Sequence, residues 1–200
     1  MITDTVLQQR FSHFDLAKMA WTAGPCAVQY RQKQWLRDRD FSELARLADA
    51  ACTGQHCLII NDRADLAFEL RVQGVHLGQG DGDPAAAATL LGPQAIIGAT
   101  VHSMAELEAL NGLAIHYIGV GPVYGTRSKD TGLPDLGLGG LAEIAAASPW
   151  PVIAIGGIEE RQVPEVIAAG AHGVAILSAF CLATEPTDVA KRFLKMLDGY

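Results

Sequence analysis

No apolar run in the sequence approaches the roughly 18 residues that a membrane-spanning helix needs. Met1-Ile2-Thr3-Asp4 leads straight into polar residues, without the hydrophobic segment of a secretory signal. Cysteine is sparse. Cys26, Cys52, Cys57 and Cys181 form no CxxC pair, and no histidine stands near them at zinc-ligand spacing. That argues against a disulfide framework or a structural zinc site and for free, small core thiols in a reducing cytoplasm. Positive charge is in deficit, with 15 Lys and Arg against 22 Asp and Glu and a net charge of −7. Domains that dock on nucleic acid are usually basic, so that class of partner is excluded. Low-complexity tracts and linker-like stretches are absent, which leaves a single domain over residues 1–200.

What is present is an alternation. Short apolar runs at Ala27–Arg31, Leu58–Asn61, Val75–Leu77, Ala95–Thr100, Tyr117–Gly121, Val152–Ile155 and Val174–Leu177 read as strands, with Met1–Thr3 as an eighth, cut short. Helical spacing fills the intervals at Leu16–Thr22, Phe41–Cys52, Ala64–Leu70, Pro84–Leu91, Met104–Leu110, Leu138–Ala147, Glu160–Ala169 and Val189–Leu197. Asp40 and Ser103 are placed as N-caps, Ser103 with Glu106 as a capping box. Near-continuous apolar strands alternating with helices imply a buried parallel sheet. Eight such units in 200 residues fit an α/β fold of the (β/α)8 TIM-barrel type. A doubly wound open sheet is the alternative, but it wants a Gly-rich turn after its first strand, where Thr3-Asp4-Thr5 stands.

In a barrel, chemistry sits where strands end and loops begin. Asn61-Asp62 follows one apolar run and Gly78-Gln79-Gly80-Asp81 the next, so Asp62 and Asp81 are placed as oxygen ligands for Mg²⁺. Taken singly, Asp62 reads equally as a helix cap and Asp81 as a turn residue. One strand earlier, Gln29, Arg31 and Lys33 share a face by alternation, a cationic wall that wants an anion. His76 lies inside an apolar run, and on its own it reads as a core histidine. Thr100 ends a strand with a small hydroxyl. The long loop Gly121–Gly137 carries Thr126, Ser128 and Lys129, a composition suited to closing over phosphate. Gly156-Gly157 after the seventh strand, and Leu177-Ser178 after the eighth, would offer backbone N–H groups to a second phosphate. Lysines beside carboxylates suggest a metal-bridged diphosphate.

These residues carry a resemblance. Val28-Gln29-Tyr30-Arg31-Gln32-Lys33, Asn61 to Ala67, Gly74 to Asp81, Gly98 to Ser103, Tyr117 to Tyr124 with Thr126 to Lys129, and Ala154 to Ile158 resemble the thiamine-phosphate synthase family, in order and over essentially the whole chain. The resemblance implies that hydroxymethylpyrimidine diphosphate loses pyrophosphate through a pyrimidine cation, which the nitrogen of a thiazole phosphate captures. It implies Mg²⁺ on Asp62 and Asp81, leaving-group stabilisation by Arg31, Lys33 and Lys129, and a pyrimidine held by Gln29 and Asn61 with His76 nearby. It implies a thiazole phosphate on Gly157, Leu177 and Ser178. Partners are then small-molecule substrates, with no nucleic acid and no membrane. Oligomeric state is left open, a homo-oligomer included.

Three positions depart from the family pattern. Gln32 replaces a usual Glu and should point outward with little effect. Thr100 replaces a common Ser, its extra methyl crowding the pyrimidine site. Gly125 replaces a usual Pro, which should loosen the loop. Two rivals stand. The related thiazole tautomerase carries a histidine where Pro122 is found here, and it tends to lack the metal carboxylates. The other rival is a catalytically silent phosphate-binding regulator on the same barrel.

Overall fold

A computed structural model describes residues 1–125 and 134–199, apart from the side chains of Arg37 and Asp38. The strands are β1 (Ile2–Thr3), β2 (Val28–Tyr30), β3 (Leu58–Asn61), β4 (Gly74–Leu77), β5 (Ile96–Val101), β6 (Tyr117–Val120), β7 (Val152–Ile155) and β8 (Gly173–Ala175). They pair in parallel in sequence order. Ile2 N–H donates to Ile176 C=O at 3.0 Å, which joins the first strand to the end of the last and closes the barrel. Helices α1 (His13–Ala23), α2 (Arg37–Gly54), α3 (Ala64–Glu69), α4 (Pro84–Leu91), α5 (Met104–Ala109), α6 (Gly137–Ala147), α7 (Val163–Ala168), α8 (Ser178–Cys181) and α9 (Pro186–Leu197) lie between and after the strands. This is the TIM-barrel architecture that the alternation implied. Among the described residues no helix is long and apolar enough to cross a membrane.

The core is the layer between sheet and helices. Leu16, Ala17 and Ala20 of α1 and Leu44, Leu47 and Ala51 of α2 recur at helical spacing and are fully buried against Val28, Tyr30, Leu58 and Ile60. Each buried Leu or Ile contributes about 1.5–3 kcal/mol by leaving water.

Helix starts differ from expectation for a local reason. Ser12 and Asp15 form a capping box, so α1 begins three residues before Leu16. Asp40 is not an N-cap. It lies inside α2, and its buried carboxylate reaches back to the Leu36 N–H at 2.6 Å. Ser103 does cap α5, accepting from Glu106 N–H. The segment Glu160–Ala169 divides into a short 3-10 turn at Glu160–Gln162 and then α7. The four-residue α8 was not anticipated. β8 ends at Ala175, so Leu177 lies beyond the strand as the residue that precedes α8. Cys181 is buried, but Cys52 is exposed on α2 rather than in the core.

Candidate active site

Asp62 and Asp81 come together. β3 ends at Asn61, and Asp62 takes a left-handed backbone with φ 66°. Two hydrogen bonds hold it there: Asp62 N–H to His76 C=O at 2.9 Å, and Arg63 N–H to Asn61 C=O at 2.9 Å. Its side chain does not cap α3, whose preceding residue is Arg63. Instead it ion-pairs with Lys33 and lies close to the Asp81 carboxyl. Burial pushes its carboxyl above the ordinary range, the Lys33 ammonium pulls it down, and Asp81 pushes it up again. Asp81 also accepts from Gly78 N–H at 3.2 Å, so it is a turn residue as well. Asp65 is taken up by a forked pair with Arg63.

The cationic wall is already neutralised by the chain itself. Arg31 pairs with Asp4, a buried carboxylate just past β1, and Lys33 pairs with Asp62. Gln32 turns away from the barrel interior, but not into solvent. It donates to Thr5 Oγ1 at 3.2 Å and to Asp40 at 3.4 Å, and its Oε1 is buried without a hydrogen-bond partner among the described residues. It is therefore a packed residue in the seam between β1, β2 and α2.

Inside the barrel, register sets one polar row. Asn61, His76, Gly98 and Tyr117 lie level on β3, β4, β5 and β6. Gly98 has no Cβ, and one would strike the Tyr117 ring, so the phenol lies across β5. Its hydroxyl meets His76 Nδ1 at 3.0 Å, with the Gln29 side chain close by. His76 Nε2 meets Thr100 Oγ1 at 2.9 Å, and the imidazole passes over Gly119, where a Cβ would sit 3.1 Å from it. Gln79 Nε2 donates to Thr100 C=O at 2.6 Å. His76 thus bridges Tyr117 and Thr100 in the interior and is not a histidine of the outer core. Burial pushes the Tyr117 phenol well above its ordinary range, keeping it neutral.

Gly156 and Gly157 have φ 103° and 64°. A Cβ on Gly157 would lie 2.7 Å from Tyr124 O and 2.8 Å from Gly125 O, so only glycine allows this approach of β7 to the β6 loop. Gly125 itself has φ 82°, a conformation that proline cannot adopt. Leu177 and Ser178 open α8, and Leu177 C=O accepts from Cys181 N–H at 2.8 Å. Thr126, Ser128 and Lys129 lie outside the described residues.

The thiamine monophosphate synthase profile matches residues 1–180. The chain belongs to this family. Among relatives, thiamine-phosphate synthase of Salinibacter ruber is 40% identical over all of this chain and 88% of its own length. The synthase of Albidiferax ferrireducens is 37% identical over all of this chain and 91% of its own. The solved thiamine phosphate pyrophosphorylase of Pyrococcus furiosus superposes with a TM-score of 0.85 at 28% identity, over 99% of this chain and 94% of that one. Asp4 and Tyr117 are polar residues beside the candidate site that strand-end reasoning missed. Asp4 carried the same signal as Asp62, a carboxylate directly after a strand. Tyr117 carried only the facing glycine at position 98.

Proposed function

We propose that the protein is a thiamine-phosphate synthase acting as a single barrel domain in the cytoplasm. It transfers the hydroxymethylpyrimidine group from its diphosphate to the ring nitrogen of hydroxyethylthiazole phosphate and releases pyrophosphate. The observation that carries the reading is the contact of Asp62 with both Asp81 and Lys33 at the mouth of a barrel of this family. Two carboxylates crowded together, with an ammonium beside them, fit Mg²⁺, which is commonly held by one or two carboxylates and completed by substrate phosphates. Bound there, Mg²⁺ would neutralise charge that builds on the leaving group. Arg31 and Lys33, with Lys129 from the β6 loop, act on the same charge. Gln29 and Asn61 hold the pyrimidine edge. Thr100 faces the reacting carbon, its hydroxyl oriented by His76. Gly157, Leu177 and Ser178 present backbone N–H groups to the thiazole phosphate, and Thr126 and Ser128 add hydroxyls. No protein nucleophile is required. Catalysis is positioning plus electrostatic stabilisation.

The test mixes the purified protein with both substrates and Mg²⁺ and follows pyrophosphate. Equal release of pyrophosphate and thiamine phosphate is expected. Turnover of the thiazole tautomer alone, without pyrophosphate, would move the protein to the tautomerase branch. Ligand binding without any turnover would make it a regulator.

A further inference from the structure

Asp4 has no place among the metal carboxylates, yet it is almost fully enclosed at the end of β1. Its side chain is 2% exposed and that of its partner Arg31 13%. Oδ1 accepts from Val6 N–H and Leu7 N–H, both at 2.8 Å, and Oδ2 takes the Arg31 Nη1. Gln8 Nε2 reaches the Asp4 carbonyl at 3.3 Å, and Arg31 N–H donates to Thr3 C=O at 3.1 Å, so both backbones are fixed as well. The carboxylate is anchored from behind by two amides and spends its other oxygen on one nitrogen of the guanidinium. A guanidinium has five N–H donors in a rigid fork. An anchor on Nη1 therefore restricts where the remaining donors can point.

We propose that Asp4 is a positioning residue for the transfer reaction, acting through Arg31. It balances the guanidinium charge in a buried setting and aims the fork at the departing diphosphate. The proposal rests on the reading that Arg31 faces that diphosphate. Asp62 is a different kind of partner: it pairs with Lys33 but also touches Asp81 and sits at the metal position. Lys33 can exchange Asp62 for substrate oxygens, whereas Arg31 stays on Asp4 throughout.

Asp4→Asn tests this, because the amide oxygen still accepts the two N–H groups while the ionic hold on Arg31 is lost. A misaimed catalytic group costs on the order of tenfold to a hundredfold in rate. The expected result is a kcat reduced by about that factor, weaker inhibition by inorganic pyrophosphate, and a KM for thiazole phosphate within about twofold of the parent. In an Arg31→Ala background, Asp4→Asn should cost nothing further in kcat. An unchanged kcat in folded Asp4→Asn, or the same fold-loss in the Arg31→Ala background, overturns the proposal. If Arg31→Ala itself keeps parental kcat and pyrophosphate inhibition, the reading of Arg31 falls, and the proposal with it. Should Asp4→Asn not fold, Asp4→Glu keeps the charge and lengthens the arm by one methylene. Reduced kcat at parental thiazole-phosphate KM supports positioning; parental kcat overturns it.

Discussion

Asp62 is where backbone strain and proposed chemistry coincide, and two substitutions separate them. Both Asp62→Ala and Asp62→Gly remove the carboxylate, the Lys33 ion pair and the contact with Asp81, so those effects cancel when the variants are compared. What differs is the backbone, held at φ 66° by the hydrogen bonds from Asp62 N–H to His76 C=O and from Arg63 N–H to Asn61 C=O. A left-handed conformation costs alanine roughly 1–2 kcal/mol. Glycine escapes that cost but gives back about 0.4–1 kcal/mol through its freer unfolded chain. Asp62→Gly should therefore be more stable than Asp62→Ala by about 0.8 kcal/mol, the difference between the midpoints of the two ranges. The assay is urea unfolding at equal slope, with a Tm difference of about 1–5 °C for a chain of this size. Neither variant should show Mg²⁺-dependent turnover, and both should keep thiazole-phosphate binding. An alanine variant as stable as the glycine variant would refute the strain argument. Turnover in either would refute the assignment of Asp62 to the metal.

Three other outcomes are expected. His13 is buried between Thr3 and Thr5, and burial lowers its pKa from 6.5 to about 4, against the opposing pull of Asp4 and Asp40. The unfolded chain binds the proton first as pH falls, so stability is full above about 6.5 and drops by on the order of 3 kcal/mol by pH 4. Urea unfolding at stepped pH should show this slope flattened in His13→Gln, and equal slopes would disprove it. Tyr117→Phe removes the hydroxyl shared by Gln29 and His76. It should cut kcat/KM for the pyrimidine diphosphate about 3–10-fold, the worth of one hydrogen bond, and spare the thiazole phosphate; equal loss for both substrates would sink the map. Gly157→Ala should do the reverse, raising the KM for thiazole phosphate, because its methyl meets two carbonyl oxygens at 2.7–2.8 Å in a left-handed turn. A thiazole-phosphate KM equal to the parent's would remove Gly157 from that site.

The barrel was legible because parallel strands buried on both faces are written as uninterrupted apolar runs, and β3, β7 and α4 fall where the runs do. That Asp62 and Asp81 lie at one end of the barrel was legible for a related reason: Asp62 directly follows β3, and Asp81 lies in the loop after β4. Asp40 misled because an acid inside the first turn that caps backward has the same composition as one at the cap. Tyr117 was illegible because its role depends on the register that sets it against Gly98, and register belongs to the closed sheet rather than to any one segment. The pairing of Arg31 with Asp4 was hidden in the same way, since β1 and β2 must first lie side by side. α8 is a single turn, too short to leave a period.

The bond from Ile2 to Ile176 that closes the barrel has a kinetic meaning. Every other strand pairing joins neighbours in sequence, so it forms over a short loop. This one closes a loop of nearly the whole chain, an entropy cost of about 4–5 kcal/mol before any contact rewards it. The β1–β8 junction therefore carries the largest loop-closure cost in the sheet, and until it forms the sheet has two open edges able to recruit another chain. Asp4 sits immediately beside that junction. The guanidinium it holds is set by the β1–β2 pairing, so one side of the junction and the anion site take shape together.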